Sequence, residues 1–372
     1  MTRQENLGLL ALNCGSSSLK FSFYLANGPR LSLIAEGAAE EIGRSRSRFS
    51  FRVHDGGSVS REEKVAIRNH KAATRLALDA LQDASTPKPL AIGHRFVHGG
   101  PHVREHQKLT PAVLNNLEAA AQFAPLHVPP AMAALRATQE KWPETMQVIC
   151  LDTAFHRTLL DVSKTLALPA SVREGGVERY GFHGLSLESI VAQLNPLPPK
   201  LIVAHLGNGS SVTAIQDGKS MDTSMGLTPT AGVMMGTRCG DLDPGVLIYL
   251  QRERGMSAAE LDDIVEHKSG LLGVSELSSD VRELMAAREQ NAKADLALGM
   301  FAFQVRKAIA GMAAALAGVD AIVFSGGIGE HATEVRNDIC SGLGFLGNVD
   351  IRVIPSQEDL QIARIVQRTV IG

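Results

Sequence analysis

Residues 9–29 read LLALNCGSSSLKFSFYLANGP, and residues 201–221 read LIVAHLGNGSSVTAIQDGKSM. Each stretch opens on an apolar run, passes a polar residue, enters a glycine–serine loop and continues into a second run. In the first copy Leu19, Phe21, Phe23 and Leu25 alternate with Lys20, Ser22 and Tyr24, the period of two that predicts a strand. The loop therefore joins two strands, unlike the G-x-x-x-x-G-K-[ST] loop that opens a helix. Both copies then reach a turn signal, Asn27-Gly28 and Asp217-Gly218, of the kind that closes hairpins. A recurrence about 190 residues apart predicts an internal duplication. Hairpin loops of Gly and Ser offer backbone N–H groups and hydroxyls to phosphate oxygens, so two copies predict phosphates held from both halves.

Outward from these hairpins the chain mixes strands and helices. SRFSFRVHDGGSV (47–59) repeats the strand–turn logic, with Asp55-Gly56-Gly57 as the turn, and HKAATRLALDALQDA (70–84) has helical spacing and stops at the breaker STPKP. AIGHRFVHGG (91–100) is a strand running into glycines, and two helical stretches follow, Thr110 to Phe123 and Ala131 to Lys141. MQVICLDTAFH (146–156) is a strand delivering Asp152 and His156 at its end, where a carboxylate can orient an arginine or hold magnesium. In the second half a long helical stretch (297–318) feeds DAIVFSGGIGEHA, a strand ending in glycines. The chain closes with IRVIP and SQEDLQIARIVQRTV, whose Ser356 and Asp359 read as a capping box. The expected fold is α/β, two similar lobes with a cleft between them. The first lobe spans 1–150, the second 151–355, and the helix 356–372 packs back on the first.

With 372 residues the chain is long enough for two domains. Its formal charge, 37 − 39 = −2, and its 4% aromatic content argue against a nucleic-acid or membrane surface. No uninterrupted apolar run reaches the length of a bilayer span. The N-terminal MTRQENLG lacks a signal-peptide core. Cys14, Cys150, Cys239 and Cys340 form no C-x-x-C pair, which points to reduced thiols in the cytoplasm and gives no support to zinc.

The residues resemble the acetate kinase family, within the actin-like (ribonuclease H-like) ATPase superfamily. The matching stretches are NCGSSSLKF, GHRFVHGG, APLH, LDTAFH, RYGFHG, HLGNGSS, GLTPTAGVMMGTRCGDLDPG, SSDVRE, FSGGIGE and IPSQEDLQIA. They run in family order over essentially the whole chain. The resemblance implies reversible phosphoryl transfer from ATP to acetate, giving acetyl phosphate and ADP, with Mg2+ as cofactor and Mn2+ as its substitute. It also implies a homodimer. Arg95 and Arg238 match the two active-site arginines, whose planar guanidinium binds carboxylate or phosphoryl oxygens in a fork that lysine lacks. His183 matches the histidine that stabilises the moving phosphoryl group, Asp152 joins the catalytic set, and His127 and His205 match positions near the phosphate. Asn13 and Glu358 match the metal site. Val97, Leu126, Phe182 and Pro229 match the pocket for the substrate's methyl group.

For the nucleotide the resemblance implies Asn13, Ser16, Ser18 and Lys20 on one hairpin, and His205, Leu206, Gly207, Asn208 and Gly209 on the other. Asp280, Val281 and Arg282 would lie beside ribose and adenine, with Gly326, Gly327, Ile328 and Gly329 wrapping the base. The chain departs from the family's common residues at Val128, Ala131, Leu187 and Ala231. Two other readings stay open: a kinase preferring propionate or another short carboxylate, and a weakly catalytic ATP-binding sensor.

Overall fold

The computed structural model describes residues 7–54 and 60–371, so the expected turn at Asp55-Gly56-Gly57 lies outside the described residues. Two compact units are present. One comprises the chain up to Ala154, then Gly184–Ser189 and the residues from Gln357 on; the other comprises Phe155–His183 and Ile190–Ser356.

The first unit is built on an eight-stranded sheet. Its strands are β1 (Leu7–Cys14), β2 (Ser18–Asn27), β3 (Arg30–Glu40), β4 (Ser47–Val53), β5 (Ser60–Val65), β6 (Ala91–Phe96), β7 (Gln107–Lys108) and β8 (Met146–Leu151), ordered β5-β4-β3-β2-β1-β6-β8-β7. The opening stretch forms the expected hairpin, with Asn13 opposite Lys20 and Cys14 opposite Leu19. Strands β1, β6 and β8 run parallel, so crossovers cover both of their faces. The period of two sorts the side chains. Leu10 and Leu12 join the core with Ile92, Ile149 and the His70–Asp83 and Val128–Lys141 helices. Leu9 and Ala11 join Ala91, Val148 and the Glu358–Ile371 helix on the other face. Val128, Ala131 and Leu187, where the chain departs from the family pattern, are all buried apolar positions.

The second unit has strands β9 (Lys200–Leu206), β10 (Ser210–Gln216), β11 (Lys219–Thr223), β12 (Ala321–Ser325) and β13 (Asp350–Val353), ordered β11-β10-β9-β12-β13. Its plan repeats that of β3-β2-β1-β6-β8: an antiparallel hairpin whose first strand pairs in parallel with the next strand, which in turn pairs in parallel with the one after it. The Ala292–Ala315 helix covers this sheet with Leu298, Phe301, Val305 and Ile309. By length and composition it could cross a membrane. Charged Arg306 and Lys307 interrupt it, so a reading by uninterrupted runs passes over it.

Two local expectations change. The second helix of the APLHVPP region begins at Val128, ahead of Ala131, because Pro129 and Pro130 occupy its first turn, where a missing N–H costs nothing. The capping box at Ser356 does not form. The Ser356 hydroxyl has no partner, the helix begins at Glu358, and the Asp359 carboxylate accepts from Asn13 and Ser22 instead.

Candidate functional site

In the first unit the ends of three adjacent parallel strands carry Asn13, Arg95 and, one residue past β8, Asp152. Ligand sites of α/β sheets lie at such carboxyl ends. Arg95 donates Nε and Nη2 to one oxygen of Asp152, Oδ2, at 3.0 and 2.6 Å, and Nη1 to Asn13 Oδ1 at 2.9 Å. Asn13 Nδ2 donates to Glu358 Oε2 and Asp359 Oδ1, both at 3.0 Å. The chemistry of the partners fixes the amide's orientation: arginine offers only donors and carboxylates only acceptors. In this arrangement Asn13 acts as the link between Arg95 and Glu358.

Burial raises the Asp152 carboxyl above its usual range, and the Arg95 guanidinium opposes the rise. Burial works against the charge on Arg95, but Asp152 and Glu358 more than compensate and hold it protonated. Asp359 is also raised, first by burial, against the Asn13 hydrogen bond and with Glu358 adding to the rise. Asp152 Oδ1 is buried without a hydrogen-bond partner. An orphaned carboxylate oxygen beside the charge of Glu358 suits a hard cation. Mg2+ takes oxygen donors and is commonly held by one or two carboxylates plus water and phosphate, so these residues fit it.

In the second unit His183 has a left-handed backbone, φ 61°, at the head of the Gly184–Gln193 helix. Gly181 two residues earlier has φ 73°, and a Cβ there would lie 2.6 Å from the ring of His156, so only glycine fits. His156 is buried; its Nε2–H donates to the Phe182 carbonyl at 2.9 Å, and Ser220 Oγ donates to its Nδ1 at 2.8 Å. That fixes the backbone just before His183. His183 Nδ1 lies 3.0 Å from Ser211 Oγ, and its ring stacks obliquely on His205 at 4.3 Å. Arg238 donates Nε to Glu266 Oε2 at 2.9 Å. A Cβ at Gly209 would stand 3.2 Å from His183 Nε2 and 3.3 Å from Arg238 Nη1. An imidazole nitrogen and a guanidinium nitrogen thus converge on one point at the second hairpin loop.

A cavity of about 840 Å3 in the same unit is lined by Gly207, Asn208, Asp280, Val281, Arg282, Gly327 and Ile328, all foreseen, and by Ser279, His331 and Thr333, which were not. Its size is that of a small-molecule site. Asp280 caps the Val281–Ala287 helix and pairs with Arg282 at 2.5 Å; that hydrogen bond holds its carboxyl below the usual range. Leu206, Gly326 and Gly329 are buried in the unit instead of lining this cavity. Ser16, Ser18, Lys20, Val97 and Leu126 belong to the first unit, Phe182 and Pro229 to the second. Val97, Phe182 and Pro229 are buried, whereas Leu126 is exposed. His127 heads the Val128–Lys141 helix. Sequence reasoning missed Ser211, Ser220 and Glu266. Ser211 lies in the quoted HLGNGSS stretch, but its bond to His183 28 residues away is not legible there. Nothing in the local sequence marks Ser220 or Glu266, which act through distant partners.

Residues 8–371 match the family described as the acetokinase family. The chain is 44% identical to the acetate kinase of Methylocella silvestris, a match covering 91% of this chain and 87% of that one. Among solved structures it resembles a propionate kinase from Francisella tularensis, with a TM-score of 0.90 and 34% identity over 97% of this chain and 99% of that one. It also resembles Porphyromonas gingivalis acetate kinase, with a TM-score of 0.86 and 34% identity over 98% and 100%.

Proposed function

The chain belongs to the acetokinase family, a family of kinases with the two-lobe actin-like fold, and from that premise we propose that it is an acetate kinase. It transfers the γ-phosphoryl group of ATP to acetate. An acetate carboxylate oxygen attacks phosphorus in line, the bridging P–O bond to ADP breaks, and the bond of acetyl phosphate forms. The observation that carries this reading is the convergence of His183 Nε2 and Arg238 Nη1 on one point at Gly209. Phosphoryl transfer needs positioned positive charge on the equatorial oxygens more than a covalent nucleophile, and one such arginine contributes ~10³–10⁵ in rate.

Arg95, oriented by Asp152 and Asn13, supplies the second guanidinium, for the acetate carboxylate. Glu358, with Asp152 near it, holds Mg2+, and Mn2+ substitutes. When bound, the cation would supply positive charge that offsets the charge on the phosphate oxygens. Asp280 and Arg282 serve the nucleoside in the cavity beside them. Reduced thiols, with all four cysteines free, support a cytoplasmic setting.

A second reading, a kinase for propionate, has the Francisella match as its support. A pocket wall such as Val97 discriminates only about 1–3 kcal/mol per methylene. The deciding experiment is acyl hydroxamate formation from acetate, propionate and butyrate with Mg-ATP, beside an Arg238→Ala control. Acetate-dependent signal that the control loses is the expected result. A higher kcat/KM for propionate would move the assignment, and ATP binding without transfer to any of the three acids would end it.

A further inference from the structure

The two arginines are anchored in the same manner, by a carboxylate on the Nε edge, but only one of the carboxylates announces itself in the sequence. Arg95 has Asp152, adjacent to the strand that delivers it. Arg238 has Glu266, near the end of the Ala258–His267 helix. Glu266 is itself held in place. Thr230 Oγ1 donates to its Oε1, Thr237 Oγ1 donates to its backbone carbonyl at 2.8 Å, and Cys239 N donates to the neighbouring Val265 carbonyl at 3.0 Å. The carboxylate's second oxygen is therefore already bonded, and the helix end is stitched to the 237–239 loop on both sides of Arg238. The side chains of Arg238 and Glu266 are 19% and 11% exposed, so water competes weakly for this pair.

We propose that Glu266 is the positioning residue for Arg238: it takes the Nε–H, and so leaves the Nη1/Nη2 end of the guanidinium aimed over Gly209, beside His183. The proposal rests on the reading of Arg238 as the phosphoryl-binding arginine. The physical need is plain. An arginine side chain has many rotamers, and a reacting group displaced by about 1 Å costs on the order of a hundredfold in rate. A carboxylate on Nε selects one rotamer and leaves the Nη groups for the ligand; here Nη1 has only long contacts, to the Pro229 carbonyl at 3.4 Å and Met235 Sδ at 3.8 Å.

The test is a double-mutant cycle over Glu266→Ala, Arg238→Ala and the double variant, with kcat, both KM values and the thermal midpoint measured for each. Glu266→Ala should lower kcat about 10–100-fold. The KM for ATP should stay within about twofold, because the lost interaction belongs to the transition state. In the Arg238→Ala background the same change should cost nothing further. Glu266→Gln, which keeps an acceptor oxygen without the charge, should fall between wild type and Glu266→Ala, and it carries the cycle if the alanine variant fails to fold. An equal loss in both backgrounds, or wild-type kcat in a folded Glu266→Ala, would overturn the proposal. Wild-type turnover in Arg238→Ala alone is a different result: it would remove the arginine's own role and the proposal with it.

Discussion

His94 stands next to Arg95 on β6 but points to the opposite face of the sheet, into the core. Its Nε2–H donates to Gln147 Oε1 at 2.6 Å, while Nδ1 is buried with no partner. A second proton would place an uncompensated charge in the core, so burial lowers the imidazole from 6.5 to about 4. The sign follows from linkage. A depressed histidine contributes stability that is complete above its unfolded value, and the contribution is lost as pH falls from 6.5 toward 4. The loss amounts to about 3 kcal/mol over that window. Urea unfolding at several pH values should show it, and His94→Gln should flatten the dependence by about that amount. An unchanged slope in the variant would assign the acid sensitivity elsewhere. At this scale the sequence was informative wherever a residue belongs to a motif. Arg95, His183, Arg238 and Glu358 were legible because each is flanked by its own glycines or strand end. Glu266 was not, because its role consists of contacts with Arg238 and Thr230, 28 and 36 residues away. His156 was legible only as a strand-end residue, and its bond to the Phe182 carbonyl, 26 residues on, was not.

The element that most depends on its neighbours is the Glu358–Ile371 helix. Its own Ser356 does not cap it. Instead Gln357 N donates to Ser189 Oγ at 3.1 Å, and Gln361 Nε2 donates to Glu188 Oε2 at 2.7 Å. Leu151 N donates to His106 Nδ1 at 3.0 Å, so the other ring nitrogen carries the hydrogen and donates to Glu188 Oε1 at 2.9 Å. One carboxylate thereby ties the first turn of the closing helix, which bears Glu358, to the loop beside β8. Burial would raise Glu188, but the His106 and Gln361 hydrogen bonds outweigh it and hold the group below 4.5. Its stability contribution is therefore present above 4.5 and lost as pH falls through the lower folded value. Glu188→Gln should cost about 1.5–3 kcal/mol at neutral pH. The gap from wild type should close in acid, and the amides of residues 358–361 should exchange faster. Equal exchange in the two proteins would show that apolar packing alone holds the helix. Helix and strand periods were legible here; the choice of cap was not, since Ser356 and Ser189 compete for one helix end and packing decides between them.

Across the whole molecule the two sheets follow one plan, and the unequal part is what each leaves exposed. The Pro244–Arg254 helix has no buried residue, although Val246, Leu247, Ile248, Tyr249 and Leu250 run consecutively through it. Ile248 is 59% exposed, as are Leu296 at 55% and Phe303 at 56% on the Ala292–Ala315 helix of the same unit. Exposed apolar side chains on two helices of one unit suit an interaction surface, and we propose that a second copy of the chain covers them. Sedimentation should give twice the 39.7 kDa of one chain, and Ile248→Asp should reduce it to a monomer with unchanged circular dichroism. A wild-type chain that sediments as a monomer at micromolar concentration would refute the dimer.

By itself the sequence determined the class of fold, the doubled hairpin and the family, because those rest on residues close together in the chain: alternation, turn pairs and glycine-flanked motifs. Tertiary structure alone decided which carboxylate anchors Arg238, which hydroxyl caps the closing helix and which way the Asn13 amide faces. Those choices pair groups up to 346 residues apart. They are set by sheet register and side-chain packing, which no local stretch of sequence encodes.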